Sequence, residues 1–186
     1  MFMVDPTSTD EDLLALFRSP KTKEQAFTRI IDRYKERLYW HIRRLVVVHE
    51  DADDILQNTF MKMWKGLENF RGDSKLFTWL YRIATNESMT HLQKQKKMRR
   101  VGFDETDSVM ETKLRAEEHF DARRLEWKLQ LAIQALPEQQ RIVFNLRYFD
   151  EMPYKQMSEI LNVTEGALKA SYHHAAKKIE DFLINR

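Results

Sequence analysis

The side chains best suited to contacting nucleic acid lie between Tyr154 and His174, where the pattern predicts two short helices joined by a tight turn. A helix of about eight residues, a turn of about three and a second amphipathic helix form the geometry that places a recognition helix in the major groove of DNA. Asn162 stands where the turn requires a left-handed backbone, which asparagine tolerates better than most residues. Thr164 is expected to cap the second helix.

The second helix of this motif has one apolar and one polar face. Its apolar residues share one side and predict an inward face: Leu168, Tyr172, Ala175, Ala176, Ile179 and Leu183. Lys169, Ala170, His173 and Lys177 face outward. Lysine suits phosphates, histidine can donate to or accept from a base edge, and alanine can contact a thymine methyl group. Two packed helices with a solvated basic face are the alternative, and we favour DNA binding over it.

Two other sets of side chains carry charge or could bind a metal ion. A basic block, Lys94, Lys96, Lys97, Arg99 and Arg100, is followed by a stretch rich in Asp and Glu, so the net charge of +2 conceals strong segregation. His173 and His174 are neighbours on a helix and point about 100° apart. No third ligand is evident in the sequence, and we predict no metal site and no cofactor.

Composition excludes several classes of protein. There are no cysteines, which rules out a disulfide framework, a cysteine-ligated zinc site and a thiol nucleophile. Four glycines and the absence of a Walker or dinucleotide motif argue against an enzyme that binds nucleotide phosphates. The N-terminal residues carry Asp5, Asp10, Glu11 and Asp12 and show no secretory signal. The sequence therefore predicts a soluble cytoplasmic protein.

Helical periodicity dominates the 186 residues and predicts an all-α protein of two small units. The first unit, residues 8–100, should contain a short helix from about Asp10 to Phe17, a long helix starting at Ser19-Pro20, and two more helices after Glu50 and Ser74. Residues 101–121 form an acidic linker. The second unit, residues 122–186, should place one helix before Pro137, one after it, and then the two helices of the DNA-binding motif.

Two segments in the same order resemble region 2 and region 4 of the sigma-70 family, in its extracytoplasmic function (ECF) subgroup. For region 2 they are Asp51 to Phe60 with Trp64, then Phe70-Arg71-Gly72-Asp73-Ser74 and Thr78 to Asn86. For region 4 they are Leu136 to Arg141, Arg147-Tyr148 and Tyr154 to Ala176. An acidic linker in place of a region 3 domain is also typical of this subgroup. The resemblance implies a transcription initiation factor that binds core RNA polymerase and opens promoter DNA.

The resemblance also implies roles for individual residues of the first unit. The positions that contact the clamp helices of the polymerase β′ subunit are Asp54, Gln57, Asn58, Phe60 and Trp64, and Asn58 departs from the usual glutamate. The positions that capture and hold the −10 strand are Arg71, Asp73, Ser74, Lys75, Phe77, Trp79, Tyr81, Arg82 and Asn86. Lys94, Lys96, Lys97, Arg99 and Arg100 would contact phosphates. Without the resemblance, a core position for Trp64 and for some of the other aromatic residues is the simpler interpretation.

In the second unit, the positions implied for −35 DNA are Arg147, Lys169, Ala170, His173, His174 and Lys177. Ala167, Ala170 and Ser171 replace the threonine, serine and arginine that are frequent there, so we expect readout to depend on shape, methyl groups or phosphates. The family also implies contact with the polymerase β flap, a linker that threads toward the active-site channel, and an anti-sigma factor, which is often membrane-anchored.

Two other classes of function remain as alternatives. An ordinary helix-turn-helix regulator would need only the second unit, and it leaves the aromatic loop and helix from Phe70 to Tyr81 without a use. A helical enzyme would need a nucleophile or a spaced set of ligands, and neither is evident among the carboxylates near Asp51 or the six histidines. We therefore predict a protein that is not an enzyme.

Overall fold

The computed structural model describes residues 8–101 and 124–185, and the regular structure within those two ranges is α-helical. The first unit, residues 8–101, contains helices α1 (Asp10–Phe17), α2 (Lys23–Val46), α3 (His49–Leu67) and α4 (Leu76–Val101). The second unit, residues 124–185, contains α5 (Arg124–Gln134), α6 (Glu138–Tyr148), α7 (Tyr154–Leu161) and α8 (Glu165–Asn185). The all-α prediction is confirmed, and the predicted linker at 101–121 lies almost wholly outside the described residues.

Local side chains and backbone set the ends of several helices. Thr9 and Asp12 form a capping box at the start of α1, in which the Thr9 hydroxyl accepts from the Asp12 backbone N–H and the Asp12 carboxylate accepts from Thr9. Pro137 and Pro153 stand immediately before α6 and α7, as predicted. Asn162 ends α7 in the left-handed conformation (φ 54°, ψ 45°), and the Thr164 hydroxyl accepts from the Ala167 backbone N–H at 3.3 Å, so both predictions about this turn are confirmed.

The start of the long helix was predicted wrongly. Helix α2 begins at Lys23 rather than at Ser19-Pro20. Ser19 and Thr22 belong to the turn after α1, where the Ser19 backbone N–H donates to Leu16 O and the Thr22 hydroxyl donates to the same carbonyl at 2.7 Å. Both bonds satisfy the Leu16 carbonyl at the end of α1. Pro20 therefore lies in this turn and does not begin a helix.

Helix α2 forms the centre of the first unit, because it packs against α1, α3 and α4. Its buried stripe includes Ile30, Leu38, Ile42 and Leu45, each 0% exposed. Their spacing matches the helical periodicity of the sequence. In the second unit, α8 packs across α5, α6 and α7. The buried side chains there include Ile133, Phe144, Ala175 and Ile179.

The two units share one continuous hydrophobic core. Helix α2 packs against α6, and α4 packs against α7. The residues of the second unit that join the first unit's core are Ile142, Val143, Leu146, Met152, Met157, Ile160 and Leu168. Polar contacts cross the same boundary: the side-chain amide of Gln134 donates to the Arg44 backbone carbonyl at 3.2 Å. The second unit therefore covers parts of α2 and α4.

Candidate functional site

The exposed face of α3 carries three of the five residues that the resemblance implies for polymerase binding. Asp54, Gln57 and Asn58 are all exposed. Met61 follows on the same face of the helix and is 54% exposed. Sequence reasoning did not identify Met61, although its spacing of seven residues from Asp54 was the available signal. The result is a carboxylate and amide surface with an apolar side chain at one end.

Phe60 and Trp64, the other two residues implied for polymerase binding, are only partly exposed. The Trp64 ring packs edge-on against Phe17 at 5.4 Å and Phe27 at 4.8 Å, with the Lys23 ammonium 4.7 Å from the ring centroid. Phe60 is also half-buried against the core. The half-buried Trp64 side chain thus joins α3 to α1 and α2, and its role as a polymerase contact stays a prediction. Asp54, Gln57 and Asn58 are, by contrast, exposed to solvent.

The loop between α3 and α4 presents polar groups on a bent backbone. Gly72 has φ +82°, a conformation that favours glycine, and Arg71, Asp73 and Lys75 are exposed around it. Arg71 Nε lies 3.6 Å from an Asp73 carboxylate oxygen, with both side chains largely in solvent. Ser74 is half-buried. These hydrogen-bonding groups can contact an unpaired base without displacing protein partners.

Trp79 forms the inner wall of this loop. Its ring lies 5.1 Å from that of Phe70, and it covers Gly66 on α3. A Cβ at Gly66 would lie 2.7 Å from Trp79 Cζ2, so only glycine lets the ring approach α3 this closely. Trp79 is half-buried, with part of its ring held by α3 and Phe70.

We predict that Gly66→Ala lowers the free energy of unfolding by about 1–3 kcal/mol, because the added methyl group must displace the packed Trp79 ring. The helix propensity of alanine opposes this by at most about 1 kcal/mol. Urea denaturation followed by circular dichroism would measure the difference. Gly166→Ala is the matched control, since nothing lies within 4 Å of its added Cβ. Equal stabilities for the two variants would contradict this account of Gly66.

Tyr81, one of the aromatic residues predicted to hold the −10 strand, is buried in this structure. It is 0% exposed and lies between Phe77, at 4.4 Å between ring centroids, and His41, at 4.9 Å. Burial raises the pKa of its hydroxyl above the ordinary value, Asp150 raises it further, and Arg37 and Arg44 oppose the shift. Phe77 is half-buried, with the Arg37 guanidinium 4.8 Å from its ring centroid. Of the alternating aromatic residues of α4, Tyr81 thus belongs to the core, whereas Trp79 packs against Phe70 of the loop before α4.

Cations of α4 predicted to contact DNA are engaged by the second unit. Arg82 Nη2 donates to the Glu159 backbone carbonyl at 2.6 Å, and Lys96 Nζ lies 2.6 Å from a Glu138 carboxylate oxygen. Asn86, Lys94 and Lys97 are exposed. The side chains of Arg99 and Arg100 lie outside the described residues. The predicted −10 face is therefore partly covered in this structure.

Helix α8 presents its predicted DNA-binding residues to solvent. Lys169, Ala170, His173, His174 and Lys177 are all exposed, whereas Leu168, Ala175 and Ile179 are buried on the opposite side. Arg147, at the end of α6, and Lys169 both approach the Tyr154 ring, at 5.4 and 5.7 Å from its centroid. The adjoining cavity of about 510 Å³ is lined by Arg147, Tyr148, Glu151, Tyr154 and Tyr172.

A buried polar site between the units was not predicted from the sequence. Asp150 follows α6, and its side chain is only 8% exposed. Arg44 Nη1 donates to Asp150 Oδ1 at 2.9 Å, and His41 Nδ1 lies 3.3 Å from Asp150 Oδ2 outside hydrogen-bond geometry. The partners are 106 and 109 residues apart, and no local pattern signals a contact over such a separation.

Comparison with protein families assigns both units. The model for sigma-70 region 2 matches residues 30–98, and the model for sigma-70 region 4 matches residues 126–179. Together they cover well over half of the chain. Even the longest of the described helices, α2 with 24 residues and α4 with 26, lack the apolar stretch that a membrane crossing requires.

Individual proteins match over nearly the whole length. The RNA polymerase sigma-H factor of Pseudomonas aeruginosa is 27% identical over 182 residues, covering 94% of each chain. The ECF RNA polymerase sigma factor SigW of Bacillus subtilis is 28% identical over 167 residues, covering 86% of this chain and 89% of its own. The ECF RNA polymerase sigma-E factor of Escherichia coli is 28% identical over 180 residues, covering 91% and 93%.

Solved structures share the fold. CnrH, in complex with the cytosolic domain of CnrY, has a TM-score of 0.70 at 21% identity and covers 97% of this chain and 99% of its own. RpoE from Bartonella quintana, in complex with the anti-sigma factor NepR, has a TM-score of 0.67 at 21% identity and covers 84% and 96%. With both region models matched in order, this chain belongs to the sigma-70 family of RNA polymerase sigma factors, in its ECF subgroup, and directs polymerase to promoters.

Proposed function

We propose that this sigma factor divides promoter opening between its two units: the first binds the polymerase clamp and captures unpaired −10 bases, and the second reads the −35 duplex. The observation that carries the proposal is the exposure of Lys169, Ala170, His173, His174 and Lys177 on one helix of a helix-turn-helix. The left-handed turn at Asn162 sets this helix against α7 in the arrangement of a helix-turn-helix. Arg147 adds a cation beside the same face.

The polymerase would bind the α3 surface formed by Asp54, Gln57, Asn58 and Met61. Carboxylates steer association with a basic coiled coil such as the β′ clamp helices, and an exposed apolar side chain contributes to the affinity once it is covered. All four residues are free of the second unit's packing surface, since α3 makes its main contacts with α2 and α4. This surface is therefore accessible whether or not the units separate.

Opening of the −10 element would use binding energy rather than ATP. Stacking of a base on an aromatic side chain contributes about 1–3 kcal/mol, comparable with the few kcal/mol needed to unstack one base. Arg71, Asp73, Ser74 and Lys75 offer hydrogen-bonding groups at the loop, and Trp79 offers the adjacent ring. Phosphates of the duplex near the −10 element would be held by Arg82, Asn86, Lys94, Lys96 and Lys97.

Further partners follow the family. The β flap would contact the second unit, and the acidic residues between the units would enter the active-site channel. An anti-sigma factor held at a membrane would restrain the protein, and the solved structure of RpoE from Bartonella quintana contains an anti-sigma factor. On this proposal the chain carries out no catalytic step of its own and works in the cytoplasm with the polymerase.

Binding of a responsive promoter by the holoenzyme, assembled from purified core polymerase and measured at several salt concentrations, tests the assignment of α8. We expect the double variant Lys169→Gln and Lys177→Gln to bind core normally, to reduce promoter binding and to lower the salt slope of log K by about 1.8, since each lost phosphate contact removes about 0.9. Lys178→Gln is the control, because Lys178 Nζ instead contacts Gln140 Oε1 at 3.0 Å. Tight binding of free duplex DNA without polymerase would favour an ordinary regulator and contradict the proposal.

A further inference from the structure

A buried polar site lies where the second unit meets α2. The Arg44 side chain is 24% exposed, and His41 and Tyr81 are 0% exposed behind it. The only anion that the described residues place against Arg44 is the Asp150 carboxylate, which the family matches assign to region 4, whereas His41, Arg44 and Tyr81 belong to region 2. The site and its occupant therefore come from different units.

The first unit holds the floor of this site in place by itself. The Tyr81 backbone carbonyl accepts from the Thr85 hydroxyl at 2.7 Å, and this hydroxyl lies 2.9 Å from His41 Nε2. Because the single Thr85 hydroxyl proton is used on Tyr81, Nε2 must be the donor of the pair, and Nδ1 is directed to Asp150. The first unit therefore fixes the position of the His41 ring by itself, and the Arg44 guanidinium supplies the positive charge that an oxyanion would meet beside it.

The same interface repeats this pattern at two other cations. Arg44 contacts the Asp150 carboxylate, Arg82 contacts the Glu159 carbonyl, and Lys96 contacts a Glu138 carboxylate. The second unit therefore offers one oxygen acceptor to each of three cations on α2 and α4. A nucleic-acid backbone also offers oxygens in a row to such cations, and its phosphates suit the planar guanidinium group of arginine.

We propose that Arg44, backed by His41 and Tyr81, forms a phosphate site for the promoter strand held by the first unit, and that Asp150 occupies this site as an internal phosphate mimic while the units are packed together. The proposal rests on the function proposed above and adds a DNA contact on α2, outside the −10 positions that the family resemblance implied. DNA and the second unit then compete for one site, so that DNA binding requires the units to separate.

The first test is Asp150→Asn in the full-length chain, measured by fluorescence anisotropy with a labelled single-stranded oligonucleotide of mixed sequence. The substitution keeps the shape of the side chain and removes the competing charge. We expect affinity to rise about tenfold, because a larger fraction of molecules becomes able to bind. Glu151→Gln makes the same change of charge at the next residue, which is exposed, and should change affinity less than twofold. Equal effects of the two variants would overturn the proposal.

Arg44→Gln in the Asp150→Asn background separates a phosphate site from simple masking. If Asp150 only held the units together, removing Arg44 as well would leave DNA affinity as high as in Asp150→Asn. A phosphate contact at Arg44 instead predicts a loss of affinity and a salt slope lower by about 0.7, the value for one phosphate of single-stranded DNA. An unchanged slope, with thermal unfolding showing that the variant is folded, would overturn the proposal.

Competition with poly-glutamate distinguishes DNA from an acidic protein partner. If the peptide binds Asp150→Asn through Arg44 while DNA affinity is indifferent to Arg44→Gln, the site belongs to an acidic partner and the proposal is wrong. The oligonucleotide assays contain no polymerase, so a negative result in them counts against the Arg44 site and leaves the proposed function untouched. Failure of the unaltered chain to bind core polymerase would instead count against the proposed function.

Discussion

Asp54→Lys is expected to lower the affinity for core RNA polymerase by about 30- to 100-fold, the range in which a central charged contact is both lost and made repulsive. The carboxylate is exposed on α3 beside Gln57 and Asn58. Because its side chain is solvated in the free protein, we expect the free energy of unfolding to change by less than about 0.5 kcal/mol. Surface plasmon resonance on immobilised core would measure the affinity, and urea denaturation would measure the stability.

Glu36→Lys provides the matched control for this experiment. Glu36 is also exposed and belongs to the first unit, but it lies on α2, away from the α3 surface. The net change in charge is identical, so any general electrostatic effect on binding to polymerase appears in both variants. A loss of similar size in the two variants would show that net charge, and not the α3 surface, controls the association.

Sequence analysis predicted helix boundaries well where a side chain or a proline determines them. Pro137, Pro153 and Asn162 act through their own backbone conformation, so α6, α7 and the turn after α7 were placed correctly. At Ser19-Pro20 the same type of signal failed. A proline that favours a helix start equally favours a turn, and the bonds from Ser19 and Thr22 to Leu16 decide between them.

The exposure of aromatic residues was harder to predict. Phe77, Trp79 and Tyr81 alternate along the sequence, and all three types occur both in cores and at nucleic-acid interfaces. Whether each ring is buried depends on what the neighbouring helix provides: Gly66 gives Trp79 space on α3, whereas His41 and the second unit enclose Tyr81. Trp64 is implied as a polymerase contact by family resemblance, and Phe17 of α1 and Phe27 of α2 pack against part of its ring.

The contacts between the units could not be predicted from sequence patterns. Helical periodicity reports which face of a helix is apolar, but it does not identify the element that covers this face. Leu146 and Ile160 have the periodicity of an ordinary local core, yet they join the core of the first unit. Asp150 was one acidic residue in a short turn, and its significance depends on Arg44 and His41, which lie over a hundred residues away.

Trp79→Ala is expected to slow promoter opening by about 10- to 100-fold, since about 1–3 kcal/mol of stacking on the captured strand is lost. Formation of the closed complex, which involves duplex DNA and α8, should change less than twofold. Stopped-flow measurement of opening on duplex templates, compared with templates already melted at the −10 element, separates the two steps. A premelted template should restore most of the activity, because the cost of unstacking has been removed.

The variant also removes the support that Trp79 gives to Phe70 and α3, so the loss of stacking must be distinguished from a displaced loop. Trp79→Phe retains an aromatic face and should recover most of the opening rate. Phe70→Ala removes the ring packed 5.1 Å from Trp79 while leaving Trp79 itself, and it reports the effect of loop support alone. If Trp79→Ala were equally defective on duplex and premelted templates, its ring would serve the fold and not the capture of the strand. A defect confined to duplex templates, and larger than that of Phe70→Ala, requires that the ring itself meets the DNA.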